Sequence, residues 1–200
     1  MAGKPERLAA LLPCQPTSAV DGACLDQLVG GTGRLLWRRA LTTAERQRVT
    51  ALGVQAALAL GTFQQGAEYA LVALLQSPHF IYRRELAPAT GQLDGPSLAA
   101  KMAFFLWNGP PDKELLDAAE SGALETDAGR AQQVDRMLAD PRSQALVENF
   151  TGQWLGLRSV GANPPAEDLY PQYDRHLETS MIGESLAYFE EFLRHDLDCR

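Results

Sequence analysis

Apolar residues recur along this chain at spacings of three and four, the period of helices that pack one face, and no stretch alternates as a half-buried strand does. The spacing predicts a first helix over about 21–39. A second follows Thr42 and turns Val49, Leu52, Ala56 and Leu60 to a core, and a third covers about 65–76. Thr42-Thr43-Ala44-Glu45 has the form of a capping box: the threonine hydroxyl accepts from the Glu45 N–H while the Glu45 carboxylate reaches back. Gly61 suits the stop of that helix. Ser77-Pro78 interrupts the next one, because proline lacks a donor and biases the residue before it away from helix.

After residue 94 the same period returns. Asp94 is placed to cap a helix that carries Pro96 in its first turn and Leu98, Met102, Phe105 and Leu106 on its apolar side. Asn108-Gly109-Pro110-Pro111 ends it. Helices over about 112–120 and 127–138 follow. Asp140-Pro141 marks a restart, with aspartate as the cap and proline at the first helical position, of a helix presenting Val147, Phe150, Trp154 and Leu157. The last helix, about 172–195, turns a narrow stripe of Ile182, Leu186, Phe189 and Leu193 to one side. The expected fold class is therefore all-α, an orthogonal array of about eight helices with no significant sheet. Residues 1–20 read as an N-terminal loop, 21–85 as a small helical domain, 86–94 as a linker and 95–200 as a larger helical domain expected to continue past the last residue.

Charge narrows the functional classes. A formal charge of −7 and a pI near 5.0 argue against a nucleic-acid partner and against docking on an anionic membrane surface. Arginines cluster locally at Arg34, Arg38 and Arg39 and at Arg83 and Arg84, where solvated or carboxylate-paired side chains are the expectation. No apolar run approaches the ~20 residues that span a bilayer, and no signal peptide is visible.

Chemistry-bearing patterns are few. Gly30-Gly31-Thr32-Gly33 lacks the preceding strand and the following Gly-Lys-Ser/Thr of a phosphate loop, so a loosened or broken helix is expected there. Glu184, Glu191 and His195 lie opposite the stripe of the last helix. Glu191 and His195 are four apart, near enough to share a metal or to work as an acid/base pair, but a solvent-facing acidic helix is the plainer reading. There is no Gly-x-Ser-x-Gly elbow, no CxxC and no CxxCH. No catalytic, cofactor-binding or metal-binding residue is assigned. Of the three cysteines, Cys14 and Cys24 are spaced to close a small loop ahead of the first helix or to remain two free thiols; Cys199 stands by the C-terminus.

Several short motifs stand in a fixed order: Leu36-Trp37-Arg38-Arg39-Ala40-Leu41-Thr42; Leu75 through Arg83; Phe105-Leu106-Trp107-Asn108 with Pro111-Asp112; Leu138-Ala139-Asp140-Pro141-Arg142; and Asn149-Phe150 through Gln153-Trp154-Leu155-Gly156-Leu157. In this order they resemble the helical domains of unknown function found in large secreted, cytochrome-associated proteins of planctomycetes and myxobacteria. Residues of about 14–85 resemble one small domain, with Ala40 where its Arg-Arg-Pro-Leu-Thr signature has proline. Residues of about 93–198 resemble its larger neighbour. The resemblance implies export, periplasmic or extracellular, and with export a Cys14–Cys24 disulfide and an unpaired Cys199. It implies other domains of the same polypeptide as partners and assigns no reaction. The expected function is a structural or interaction module that positions redox or degradative domains. The alternative is a fragment of an enzyme whose active site is completed by further C-terminal domains.

Overall fold

The computed structural model describes residues 11–83, 85, 91–195 and 197–198. Among them every regular element is helical and no strand occurs, so the protein is all-α. The chain divides into two compact units, one taking Met1–Phe104 and Pro110–Gln133, the other Phe105–Gly109 and Val134–Arg200. The linker expected at 86–94 falls partly outside the described residues.

In the first unit, helix α1 (Gly22–Trp37) starts on Asp21, whose carboxylate accepts from the Cys24 N–H at 2.9 Å. Helix α2 (Thr43–Leu60) carries the full capping box at Thr42 and Glu45 and ends on Gly61 in the left-handed region. Helix α3 (Phe63–Gln76) is capped by Thr62, and the one-turn helix α4 (Pro78–Ile81) by Ser77. Leu25, Leu28, Val29, Phe63 and Leu74 are buried at the centre, each contributing about 1.5–3 kcal/mol by leaving water. Cys14 and Cys24 stand at disulfide distance, with Cα atoms 5.8 Å apart, and the Cys14 side chain packs on the cluster of Cys24, Leu25, Leu28, Phe63 and Ala67.

Two expectations fail here for a common reason. The buried face of α2 is Val49, Gly53 and Ala57, not Val49, Leu52, Ala56 and Leu60; Leu52 and Leu60 are exposed. Helices α2 and α3 cross backbone to backbone, and a Cβ added at Gly66 would lie 2.6 Å from the Gly53 carbonyl oxygen and 2.8 Å from the Ala57 Cβ. Leucine has no room at such a crossing, so burial there selects the smallest side chains instead of the most apolar. The glycine run of α1 likewise does not break the helix, which is continuous through Gly30, Gly31 and Gly33. Gly33 is pressed against Leu41 and Leu74, and its missing side chain is what lets them approach.

Helix α5 (Gly95–Trp107) begins in the first unit with the Ser97 N–H donating to Asp94, and Gly95 lies against the Ala119 carbonyl of helix α6 (Lys113–Glu120). Asp112 caps α6, and helix α7 (Asp127–Ala139) follows. Along α5 the buried residues are Ala99, Ala100, Ala103, Leu106 and Trp107, while Phe105 is exposed, against expectation.

The second unit is anchored on Trp107, whose indole N–H donates to the Met137 carbonyl at 3.0 Å and whose ring lies 3.4 Å beneath the Arg142 guanidinium. Asp140 and Pro141 restart the chain as a 3-10 turn, Pro141–Ser143. One α-helical turn, Gln144–Leu146, passes into a π-helix, Val147–Thr151, and back to α-helix at Gly152–Trp154. Helix α8 (Arg175–His195) closes the unit; its stripe of Ile182, Leu186, Phe189 and Leu193 is half-buried, and none of its residues is fully buried.

Candidate functional site

Two motifs far apart in sequence meet at the end of α1. Trp37 is buried there, its indole N–H donating to the Leu74 carbonyl at 3.1 Å and its ring 4.7 Å from the His79 imidazole. Arg38 follows in the left-handed region, φ 57°, where a non-glycine residue is held only by its surroundings. Its surroundings are explicit. The residue is 7% exposed, and its guanidinium donates to the carbonyls of Leu36 at 3.2 Å, His79 at 2.7 Å, Phe80 at 3.2 Å and Tyr82 at 3.1 Å. A cation therefore sits on the C-terminal carbonyls of α4, where the helix dipole favours it. Burial first, and the neighbouring Arg83 second, pull its pKa below the ordinary arginine value. The charge still remains at any physiological pH.

Arg39 turns the other way. It makes a two-pronged pair with Glu45, at 2.9 and 2.8 Å, and Glu45 also accepts the Thr42 N–H and stands 3.4 Å from His79 Nε2. The Arg39 guanidinium, ahead of the backbone bond from Thr42, holds the Glu45 carboxyl down to about 2. A carboxylate so stabilised is a poor proton acceptor at neutral pH, so the Glu45–His79 contact orients groups and is no acid/base couple. The cluster joins α1, α2 and α4 through one charge pair and one guanidinium on carbonyls.

The arginine expectation holds for Arg34, which pairs with Asp117 at 2.6 Å and Glu120 at 2.9 Å, and for Arg39. It fails for Arg38, which is neither solvated nor paired with a carboxylate; Arg84 lies outside the described residues. On α8, Glu191 and His195 do meet, Oε1 to Nε2 at 3.4 Å, both exposed. No group of three or more His, Cys, Asp or Glu side chains that could hold a metal forms among the described residues. Cys199 lies outside them.

The second unit displays an aromatic surface that sequence reasoning assigned to the core. Phe150, Trp154 and Phe189 are in mutual contact, with centroids 5.7, 5.5 and 6.5 Å apart, and Trp154 is 66% exposed. Val147 and Thr151 are buried instead. The π-helix accounts for the difference. Its i→i+5 bonds insert one residue into the turn, so later side chains rotate by about 100° from the face that an uninterrupted α-helix would give them. Tyr188, 68% exposed, meets Phe192 one turn along α8 with ring centroids 4.7 Å apart and planes tilted by 58°. The Thr151 hydroxyl is the one buried side-chain polar atom without a hydrogen-bond partner among the described residues. Nothing in the sequence marks the π-helix. The Arg38 cluster leaves a trace only in the two motifs, Trp37-Arg38-Arg39 and Ser77-Pro78-His79.

No helix among the described residues is long and apolar enough to cross a membrane. No curated protein and no solved structure matches the chain. Two family models do: PSD5, a protein of unknown function (DUF1595), over residues 24–85, and PSD4, a protein of unknown function (DUF1592), over residues 93–200. The second match spans more than half of the sequence, and with the helical architecture described above the chain belongs to the PSD4 family of proteins of unknown function (DUF1592).

Proposed function

We propose that the chain is an all-α interaction module of a larger exported polypeptide, and that it positions neighbouring domains through the aromatic face of its second unit. The observation that carries this reading is the cluster of Phe150, Trp154 and Phe189, with Trp154 66% exposed beside Tyr188. Contiguous exposed apolar surface of this kind marks a contact face more often than bare solvent. The chain offers an all-helical frame on which such a face is displayed. The Cys14–Cys24 pair supports export, since disulfides persist in oxidising compartments. We take it as bonded in the exported protein.

A photo-crosslinking residue placed at position 154 of the full natural polypeptide tests the reading. Crosslinks mapped by mass spectrometry to another domain of the same polypeptide are the expected result. Crosslinks only to a second copy, or none at all in the folded protein, overturn it.

A further inference from the structure

Among the described residues of the first unit, Arg38 and Arg83 stand close together and neither guanidinium is balanced by a carboxylate. Arg38 is buried, and each acceptor it reaches is a neutral carbonyl. Arg83 stands near enough to act on it electrostatically, and its guanidinium lies over the face of Phe104 at 4.6 Å. Neither meets a carboxylate among the described residues, whereas Arg34 has two and Arg39 one. Arg38, Arg39 and Arg83 line one shallow cleft open to solvent, together with Trp37, Tyr82 and Asp94. Asp94 has one oxygen engaged by the Ser97 N–H at 2.8 Å. With Arg39 answered by Glu45, the cleft keeps one positive charge in excess.

We infer that this cleft binds a small organic monocarboxylate, with Arg83 meeting the carboxylate at the rim, Arg38 supplying fixed positive charge behind it, and Trp37 and Tyr82 flanking its apolar body. Low-dielectric walls focus the field of the two guanidiniums on the space between them. A planar guanidinium matches a carboxylate in shape as well as charge. A single excess charge suits a monoanion, and a polyphosphate would leave most of its charge unanswered. The aromatic walls favour a ligand with a carbon skeleton over a bare inorganic ion.

Benzoate is the probe, titrated at constant ionic strength into the 200-residue chain while the indole N–H of Trp37 and the side-chain N–H of Arg83 are followed by nuclear magnetic resonance. Saturable shifts at both, with a Kd of the order of millimolar, are expected. Arg83→Gln, at an exposed site, weakens binding by about tenfold, and Arg83→Lys, which keeps charge but loses the fork, weakens it by less. Arg158→Gln, in the second unit, leaves binding unchanged. Absence of saturation up to about 50 mM, well beyond that affinity, overturns the inference. So does equal affinity in Arg83→Gln, and so does inorganic phosphate that shifts the same groups as tightly as benzoate.

Discussion

Replacing Gly66 by alanine puts a methyl group where two helices already touch. The new Cβ would lie 2.6 Å from the Gly53 carbonyl oxygen and 2.8 Å from the Ala57 Cβ. Both belong to the rigid run of α2 and cannot swing aside as a long side chain would. Restoring ordinary contact requires α2 and α3 to part by about 1 Å, which loosens the packing of Val49, Ala57, Ala70 and Leu74 along the crossing. Overpacking of this kind costs about 1–3 kcal/mol, and backbone against backbone belongs at the upper end. Alanine returns about 1 kcal/mol through its better helix propensity, leaving a net loss of about 2 kcal/mol. Gly31 is the matched control: it is helical, exposed and has nothing within 4 Å of an added Cβ. Gly31→Ala should therefore stabilise by about 0.5–1 kcal/mol. Urea unfolding of the two variants, followed by circular dichroism, should separate them by about 3 kcal/mol in opposite directions from the parent. Equal stabilities, or a gain at Gly66, would refute the claim that small residues set the α2–α3 distance.

Three further outcomes follow from the geometry. The Glu45 carboxyl is held at about 2, below its usual 4.5, so its share of stability is full above pH 4.5 and drains as pH falls through 2. That share is at most roughly 3 kcal/mol. Glu45→Gln should thus be less stable than the parent at pH 6 and converge with it near pH 2 in urea midpoints; a constant gap would count against the Arg39 pair. Trp154→Ala should cost less than about 1 kcal/mol, because the indole is mostly in water, while removing the red-shifted part of the tryptophan emission and leaving the buried Trp37 and Trp107. A loss of several kcal/mol would show the aromatic cluster to be core. Reducing the Cys14–Cys24 pair should lower stability by about 2–3 kcal/mol, read from thermal unfolding with and without reductant, and no change would mean that the pair is not bonded.

The parts of the fold legible in the sequence are those encoded within a few residues. Asp21, Thr42, Asp94, Asp112 and Asp140 each accept from a backbone N–H two or three positions on, and each marks a start that the sequence announces. Faces were less legible. Hydrophobic spacing favours large apolar residues, so it pointed α2 toward Leu52 and Leu60, whereas a close crossing buries Gly53 and Ala57. The π-helix at 147–151 leaves no compositional mark, and Trp154, which follows it, is exposed where an uninterrupted α-helix would have turned it to the core. Arg38 was hidden for another reason. Three of its four acceptors lie 41 to 44 residues away, and all are backbone carbonyls, which carry no side-chain signature.

That same guanidinium has a kinetic consequence. Four residues of helix cannot persist alone, since forming one turn costs more than its bonds return. The segment 78–82 is therefore held from outside, by three carbonyls bonded to a single side chain on the far end of α1. Neither part can detach without stranding a buried cation, so the last turn of α1 and the whole of α4 should open together. In amide exchange, the N–H groups of Phe80, Ile81 and Tyr82, bonded to Ser77 and Pro78, would then share one opening free energy with those around Trp37 and exchange in concert, despite the forty residues between them.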